Sequence, residues 1–140
     1  MSKAPLPSNE FDRLASLRAL DLDYSELEAE FQNFVTLVSR TTGMEVSLVN
    51  LIDTFGQWTI ANHGISLKSM AREDSVCQFT ILENDHLEVK DLANDENHKD
   101  KFYVAGNPFF RYYFGVPLKT SSGVNIGSLC VLDREPKTLS

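Results

Sequence analysis

The sequence predicts an α+β domain built on an antiparallel sheet with helices on both faces. Three observations carry this reading. An apolar stripe at helical period (Leu27, Phe31, Phe34, Val35, Val38) lies near the start of the chain. Two strand-like stretches, "EVSLVNLID" and "QWTIAN", are separated by a tight turn. A second such pair, "FFRYYFGVPL" and "NIGSLCVLD", is separated by "KTSSG". Strands joined by turns this short pair antiparallel, because a parallel connection needs a long crossover.

The elements follow in order. Residues 1–10, with two prolines, read as a flexible lead-in, and residues 11–140 as one domain. Phe11, Leu14 and Leu17 recur at three-residue spacing and predict a short helix to about Leu20. Ser25 and Glu28 form a capping box for the helix that carries the apolar stripe, and Gly43 suits its C′ position. "EVSLVNLID", 45–53, is apolar on both faces and predicts a central, buried strand. "DTFGQ" predicts a turn with a positive φ at Gly56, and 57–62 returns as a strand. Residues 65–86 read as short helical or irregular pieces, 86–92 as a short edge strand, and 93–102 as a polar loop. Strands at 109–118 and 125–133 close the domain. After "REPKTLS" a closing helix, or a partner, is expected to cover the remaining apolar surface.

Composition narrows the function. The net charge is −7, and "DLDYSELEAE", 21–30, has five acids and no base. Nucleic-acid binding draws on a basic face, so nucleic acid and anionic membrane are not expected partners. No apolar run reaches a membrane span, and no secretory signal opens the chain, so a cytoplasmic location is expected. Two cysteines without a CxxC, and three scattered histidines, suggest neither a disulfide framework nor a metal site.

The segment "DSVCQFTI", 74–81, contains Cys77. A nucleophilic thiol needs a base or a lowered pKa. No His or Lys lies within five residues, and the neighbouring Glu73 and Asp74 would raise its pKa. Cys77 therefore reads as a small buried residue in a wall. Asp74 and Ser75 read as caps of a short helix starting near Val76. Trp58 suits core packing or a ligand contact. Arg111 shares a strand face with Tyr113; it either faces a pocket and favours an anion, or pairs with Asp91 or Asp95 at the surface.

Five phrases resemble the GAF domain of the type found near the N-terminus of bacterial sensor histidine kinases and diguanylate cyclases: "LRALDLDYSELEAEF", "VSLVNLIDTFGQWTIANHGI", "DSVCQFTIL", "FRYYFGVPL" and "GVNIGSLCVLDREP". The resemblance spans roughly residues 11 to 137. It implies a PAS/profilin-like fold of about six antiparallel strands, a pocket between the sheet and the short middle helices, and a final helix truncated here. It further implies a sensory module, not an enzyme, that binds a small ligand or dimerises through terminal helices and regulates an output domain such as a histidine kinase on the same parent chain. The candidate ligand-binding residues are Trp58, Asp74, Ser75, Cys77, Phe79, Phe110, Arg111 and Tyr113. No catalytic residue, metal ligand or cofactor is assigned. Alternatives within the family are a free methionine-R-sulfoxide reductase and a purely structural dimerisation module. Bilin attachment is disfavoured because Gln78, not His, follows Cys77. Haem at His98, in a charged and solvated setting, and cyclic nucleotide at "NHKDKF" are disfavoured too.

Overall fold

A strand that is apolar on both faces must lie between two layers, and Val46–Ile52 (β1) is buried at all seven positions. The computed structural model describes residues 6–19 and 24–137. Helices α1 (Glu10–Ala19) and α2 (Tyr24–Thr42) precede β1, and β2 (Gly56–His63) returns beside it. The middle holds β3 (Ser69–Ala71), α3 (Cys77–Thr80), β4 (Leu87–Val89) and α4 (Phe102–Ala105), and the chain closes with β5 (Tyr112–Lys119) and β6 (Asn125–Asp133). Six antiparallel strands form one sheet in the order β3-β2-β1-β6-β5-β4. The predicted α+β architecture is the observed one.

Period-two alternation sorts the side chains into two cores. On one face Val49, Ala61 and Leu129 pack under Val35 and Phe31 of α2, and Tyr112 and Val131 pack with Met44 and Val38. On the other, Val46, Leu48, Ile52, Tyr113, Cys130 and Leu132 meet Val76, Ile81, Leu92, Tyr103 and Phe110 from the middle segment. The long helix thus covers one face, and short, irregular pieces cover the other. Among the described residues no helix is long and apolar enough to cross a membrane.

Several local expectations change. Gly43 has φ +72° and ends α2 as expected, but Gly56 has no positive φ; it is the first residue of β2. The turn before it is set by Asp53, whose side chain accepts from Thr54 N at 2.8 Å and whose N–H donates to Gly56 O at 2.8 Å. Strand β3 was expected to be irregular, since three residues are too few to show alternation. Strand β5 begins at Tyr112, not Phe109, because Phe109 has φ +61° and cannot continue a ladder. The side chains of the Ser25–Glu28 capping box lie outside the described residues.

Helix α1 is held by charge, not by the apolar stripe that suggested it. Phe11 is 85% exposed, whereas Arg13 is fully buried. The Arg13 guanidinium donates to Ile52 O at 2.5 Å and to both Glu10 carboxylate oxygens at 2.9 and 3.1 Å. Arg72 grips the same carboxylate at 2.6 and 3.1 Å and reaches Asp53 O at 3.1 Å. Glu10, where α1 begins, lies between two guanidiniums. Burial raises its pKa, but the hydrogen bonds and charge of Arg72 and Arg13 prevail and lower it to about 2.

A carboxylate with a depressed folded-state pKa stabilises the fold above its unfolded value and loses that contribution as pH falls through the folded value. Stability is therefore expected to decline as pH falls from the ordinary value of 4.5 to about 2, and Glu10→Gln should flatten that part of the profile in acid denaturation followed by circular dichroism. Arg13→Ala leaves a buried carbonyl and a partly buried carboxylate short of a partner, and is expected to cost on the order of 3 kcal/mol in urea unfolding.

Candidate functional site

The short middle elements cannot cover a sheet as evenly as a long helix does. A cavity of about 250 Å³ remains between β1, β5 and β6 and the segments 65–77 and 102–110. Its walls are mainly apolar, with Leu48, Ile65, Met70, Val76 and Leu132 among them, and Ser66, Phe102 and Pro108 line it as well. Ser66 and the Phe102 ring are exposed and mark its mouth.

The polar part is its floor. Asn50 is buried in mid-β1 with 0% exposure, where an unpaired amide would be costly. Its Oδ1 accepts from Thr59 Oγ1 at 2.7 Å, which fixes the amide orientation. The Nδ2 then points at two sulfurs, Cys77 Sγ at 3.3 Å and Cys130 Sγ at 3.6 Å. Ser128, opposite Asn50 on β6, donates its hydroxyl to Cys77 Sγ at 2.8 Å. Tyr113 Oη lies 3.3 Å from the same sulfur and 2.6 Å from Thr80 Oγ1. The phenol of Tyr113 passes close to Gly115, where a Cβ would stand only 2.3 Å from Tyr113 Oη. Glycine there is what lets the phenol reach the sulfur.

Burial alone pushes the Cys77 thiol up, but hydrogen bonds from Cys130, Ser128, Tyr113 and Asn50 prevail and hold it below the ordinary thiol range. Cys130 moves the other way: its hydrogen bond to Cys77 and its burial raise it, so it is the thiol that keeps its proton. Burial and the neighbouring sulfurs also raise Tyr113. Glu73 and Asp74 do not set the state of Cys77, as chain proximity suggested; the donors come from β1, β5 and β6.

The sequence candidates divide. Cys77, Phe110 and Tyr113 line the cavity together. Ser75 is buried one layer behind, donating to Gln57 Oε1 at 2.5 Å. Gln57 lines the cavity. Asp74 and Ser75 do not cap α3, whose N-cap is Val76 with no side-chain bond. Asp74 instead offers its carbonyl to Tyr103 Oη at 2.6 Å. Phe79 points away from the cavity, edge-on to His98 with ring centroids 4.9 Å apart and under Lys101 Nζ at 5.8 Å. Trp58 is 54% exposed on β2. Arg111 pairs with Asp91 through two bonds of 2.6 Å, away from the cavity.

Asn50, Gln57, Cys130 and Tyr103 were missed as lining residues; strand alternation marks their faces, but not where the cover thins. The segment 93–102 is more buried than its polarity suggested. His98 and Lys101 are both buried, and Lys101 Nζ donates to Glu73 O at 3.3 Å. Burial lowers His98 to about 4, so it is neutral at pH 7 and not the solvated residue expected. Among the described residues no group of three or more His, Cys, Asp or Glu side chains is placed to hold a metal ion.

Asn50→Leu strands Thr59 and removes a donor from Cys77. It is expected to cost about 1–3 kcal/mol in urea unfolding. It should also move the pH profile of Cys77 alkylation to higher pH, which a merely structural role would not do.

A GAF domain family model matches residues 26–140. A cyclic di-GMP phosphodiesterase of Pseudomonas aeruginosa is 34% identical over 98% of this chain, which spans 23% of that relative's length. The free methionine-R-sulfoxide reductase of Thermoplasma acidophilum superposes with a TM-score of 0.68 at 16% identity, covering 84% of this chain and 82% of its own. The GAF domain of an Acinetobacter phosphoenolpyruvate-protein phosphotransferase gives 0.66 at 15% identity, covering 91% and 80%. The Pseudomonas relative is named as a phosphodiesterase and a fold neighbour as a reductase, both enzymes, which corrects the expectation of a module that is not an enzyme. With a six-stranded sheet, a cavity under its short middle helices and a family match over most of its length, this chain belongs to the GAF domain family.

Proposed function

We propose that this domain is the small-molecule-binding, sensory part of a longer protein that hydrolyses cyclic di-GMP. The observation that carries the reading is the cavity: about 250 Å³, apolar walls, and a floor of Asn50, Gln57, Cys77 and Tyr113. Ligand sites combine an apolar lining with a few convergent polar groups. The support for the output is the 34% identity to the Pseudomonas phosphodiesterase, of which this chain matches only 23%.

The cavity's size and charge define the ligand class. No Asp, Glu, Lys, Arg or His lines it, so a charged ligand would lose its hydration without a counter-ion. The reading is therefore a neutral compound, not the anion that Arg111 suggested. A cyclic dinucleotide, with two phosphates and two purines, is too large and too charged; the compound sensed differs from the compound hydrolysed. Phe34 and Leu37 stand on the outer side of α2, 45% and 60% exposed, and suit self-association with a second copy.

Mass spectrometry of small molecules released on denaturation is expected to find a neutral compound in near-stoichiometric amount. Ser66→Trp, which plugs the mouth from an exposed position, should abolish that yield and remove the melting shift that the compound gives to wild type. No released compound, together with no melting shift from any member of a neutral-metabolite library, would overturn the reading. For the dimer, Leu37→Glu is expected to lower the sedimentation coefficient to that of a monomer; wild type already monomeric at high concentration would contradict it.

A further inference from the structure

We infer that Cys77 and Cys130 form a hydroperoxide-reactive dithiol at the floor of the cavity, closing to a Cys77–Cys130 disulfide. The inference stands on the sulfur geometry, and a compound seated on the floor would compete with the peroxide for Cys77.

Four features converge. The amide nitrogen of one residue, Asn50 Nδ2, bridges the two thiols, at 3.3 Å from Cys77 Sγ and 3.6 Å from Cys130 Sγ. They come from remote parts of the chain, α3 and β6, and both are free. Both line the cavity, so a small molecule entering at Ser66 and Phe102 meets sulfur at the bottom. The donor groups are divided unequally. Cys77 Sγ has Asn50 Nδ2 at 3.3 Å, Ser128 Oγ at 2.8 Å and Tyr113 Oη at 3.3 Å, whereas Cys130 Sγ has Asn50 Nδ2 at the longer distance of 3.6 Å. Thiolate charge therefore collects on Cys77, the attacking sulfur, and the proton stays on Cys130, the resolving one. A buried cysteine kept only for packing needs no such set of donors.

The substrate class follows from the walls. They are mainly apolar and include no Lys, Arg or His to pair an anion, and the Cys77 thiolate repels one, so a neutral, small organic hydroperoxide enters more readily than an anionic disulfide such as oxidised glutathione. The Cys77 thiolate attacks the terminal oxygen of ROOH. An S–O bond forms, the O–O bond breaks, and the departing alkoxide takes up the proton that Cys77 released on ionising, leaving as ROH. Cys77 is now a sulfenic acid. The Cys130 sulfur attacks the Cys77 sulfur; the S–S bond forms, the S–O bond breaks, and hydroxide leaves with the Cys130 proton as water. Two thiols give up two electrons, and the peroxide bond receives them.

The test treats the protein with cumene hydroperoxide, quenches with N-ethylmaleimide under denaturing conditions and measures intact and peptide masses. The expected product is two hydrogens lighter, takes no maleimide and gives a linked peptide pair joining Cys77 to Cys130. Cys130→Ser should stop at a sulfenic acid on Cys77 that dimedone captures. Cys77→Ser should leave Cys130 fully alkylated and unoxidised. If Cys77→Ser fails to fold, Asn50→Leu and Tyr113→Phe replace it and are expected to slow disulfide formation at pH 7 at least severalfold. The inference is overturned if wild type retains both thiols at a peroxide dose that oxidises free cysteine, or if the linked pair forms no faster in the folded protein than in the urea-unfolded chain.

Discussion

The cavity depends on the orientation of one buried amide. Asn50 occupies the centre of the central strand, where a hydrocarbon would pack without cost and an unsatisfied amide would cost a few kcal/mol. Thr59 on the neighbouring strand takes the oxygen, so the nitrogen must face the sulfurs. Ser128 across the other strand pair and Tyr113 one strand further complete the set. Three groups from β1, β5 and β6 thus converge on one thiol, and Thr59 of β2 orients the first of them. A network this buried is stable only if every member is satisfied, so the sheet register and the polarity of the cavity floor are set together.

The cover over that floor is fixed by a second group of contacts. Tyr103 on α4 reaches the Asp74 carbonyl, and Lys101 reaches the Glu73 carbonyl while lying over Phe79. These bonds join two short segments that lack enough apolar surface to hold each other. They leave the stretch from Ile65 to Met70 as the thinner wall, which is where the mouth lies. At the other end of β1, the Glu10 carboxylate between Arg13 and Arg72 ties α1 to the turn leading into β2. Gln57 of β2 lines the cavity, and the turn before β2 is joined to the N-terminal helix through Arg72, while Arg13 joins that helix to Ile52 O.

The sheet was legible because its signals are periodic. Val46–Ile52 has apolar residues on both faces and became central; 125–133 alternates and became β6 with the same bounds. Helix α2 showed its stripe, and Gly43 its end. What resisted was irregular or long-range. Three-residue β3 has no period to read. Arg13 is a charged residue in a core position, which hydrophobic patterning misassigns by construction. The site was legible only in part, since Cys77, Phe110 and Tyr113 stood out locally, while their partners lie 27 to 51 residues away from Cys77 in the cases of Asn50 and Ser128. Arguing the Cys77 pKa from Glu73 and Asp74 failed for the same reason: electrostatics follow distance in space, not along the chain. Arg111 looked functional because it interrupts an aromatic run; in the fold it satisfies Asp91 at the rim.

The most direct test of a ligand-sensing floor is amide chemical-shift mapping of the isotopically labelled protein against a library of small neutral compounds. The account predicts that binders shift the amides of Asn50, Gln57, Cys77 and Tyr113 first, with a weaker change carried to Glu10 and Arg13. Binders that instead shift residues around Gly43, Glu45 and Asp133, on the opposite polar groove, and leave Asn50 and Cys77 unmoved would contradict it.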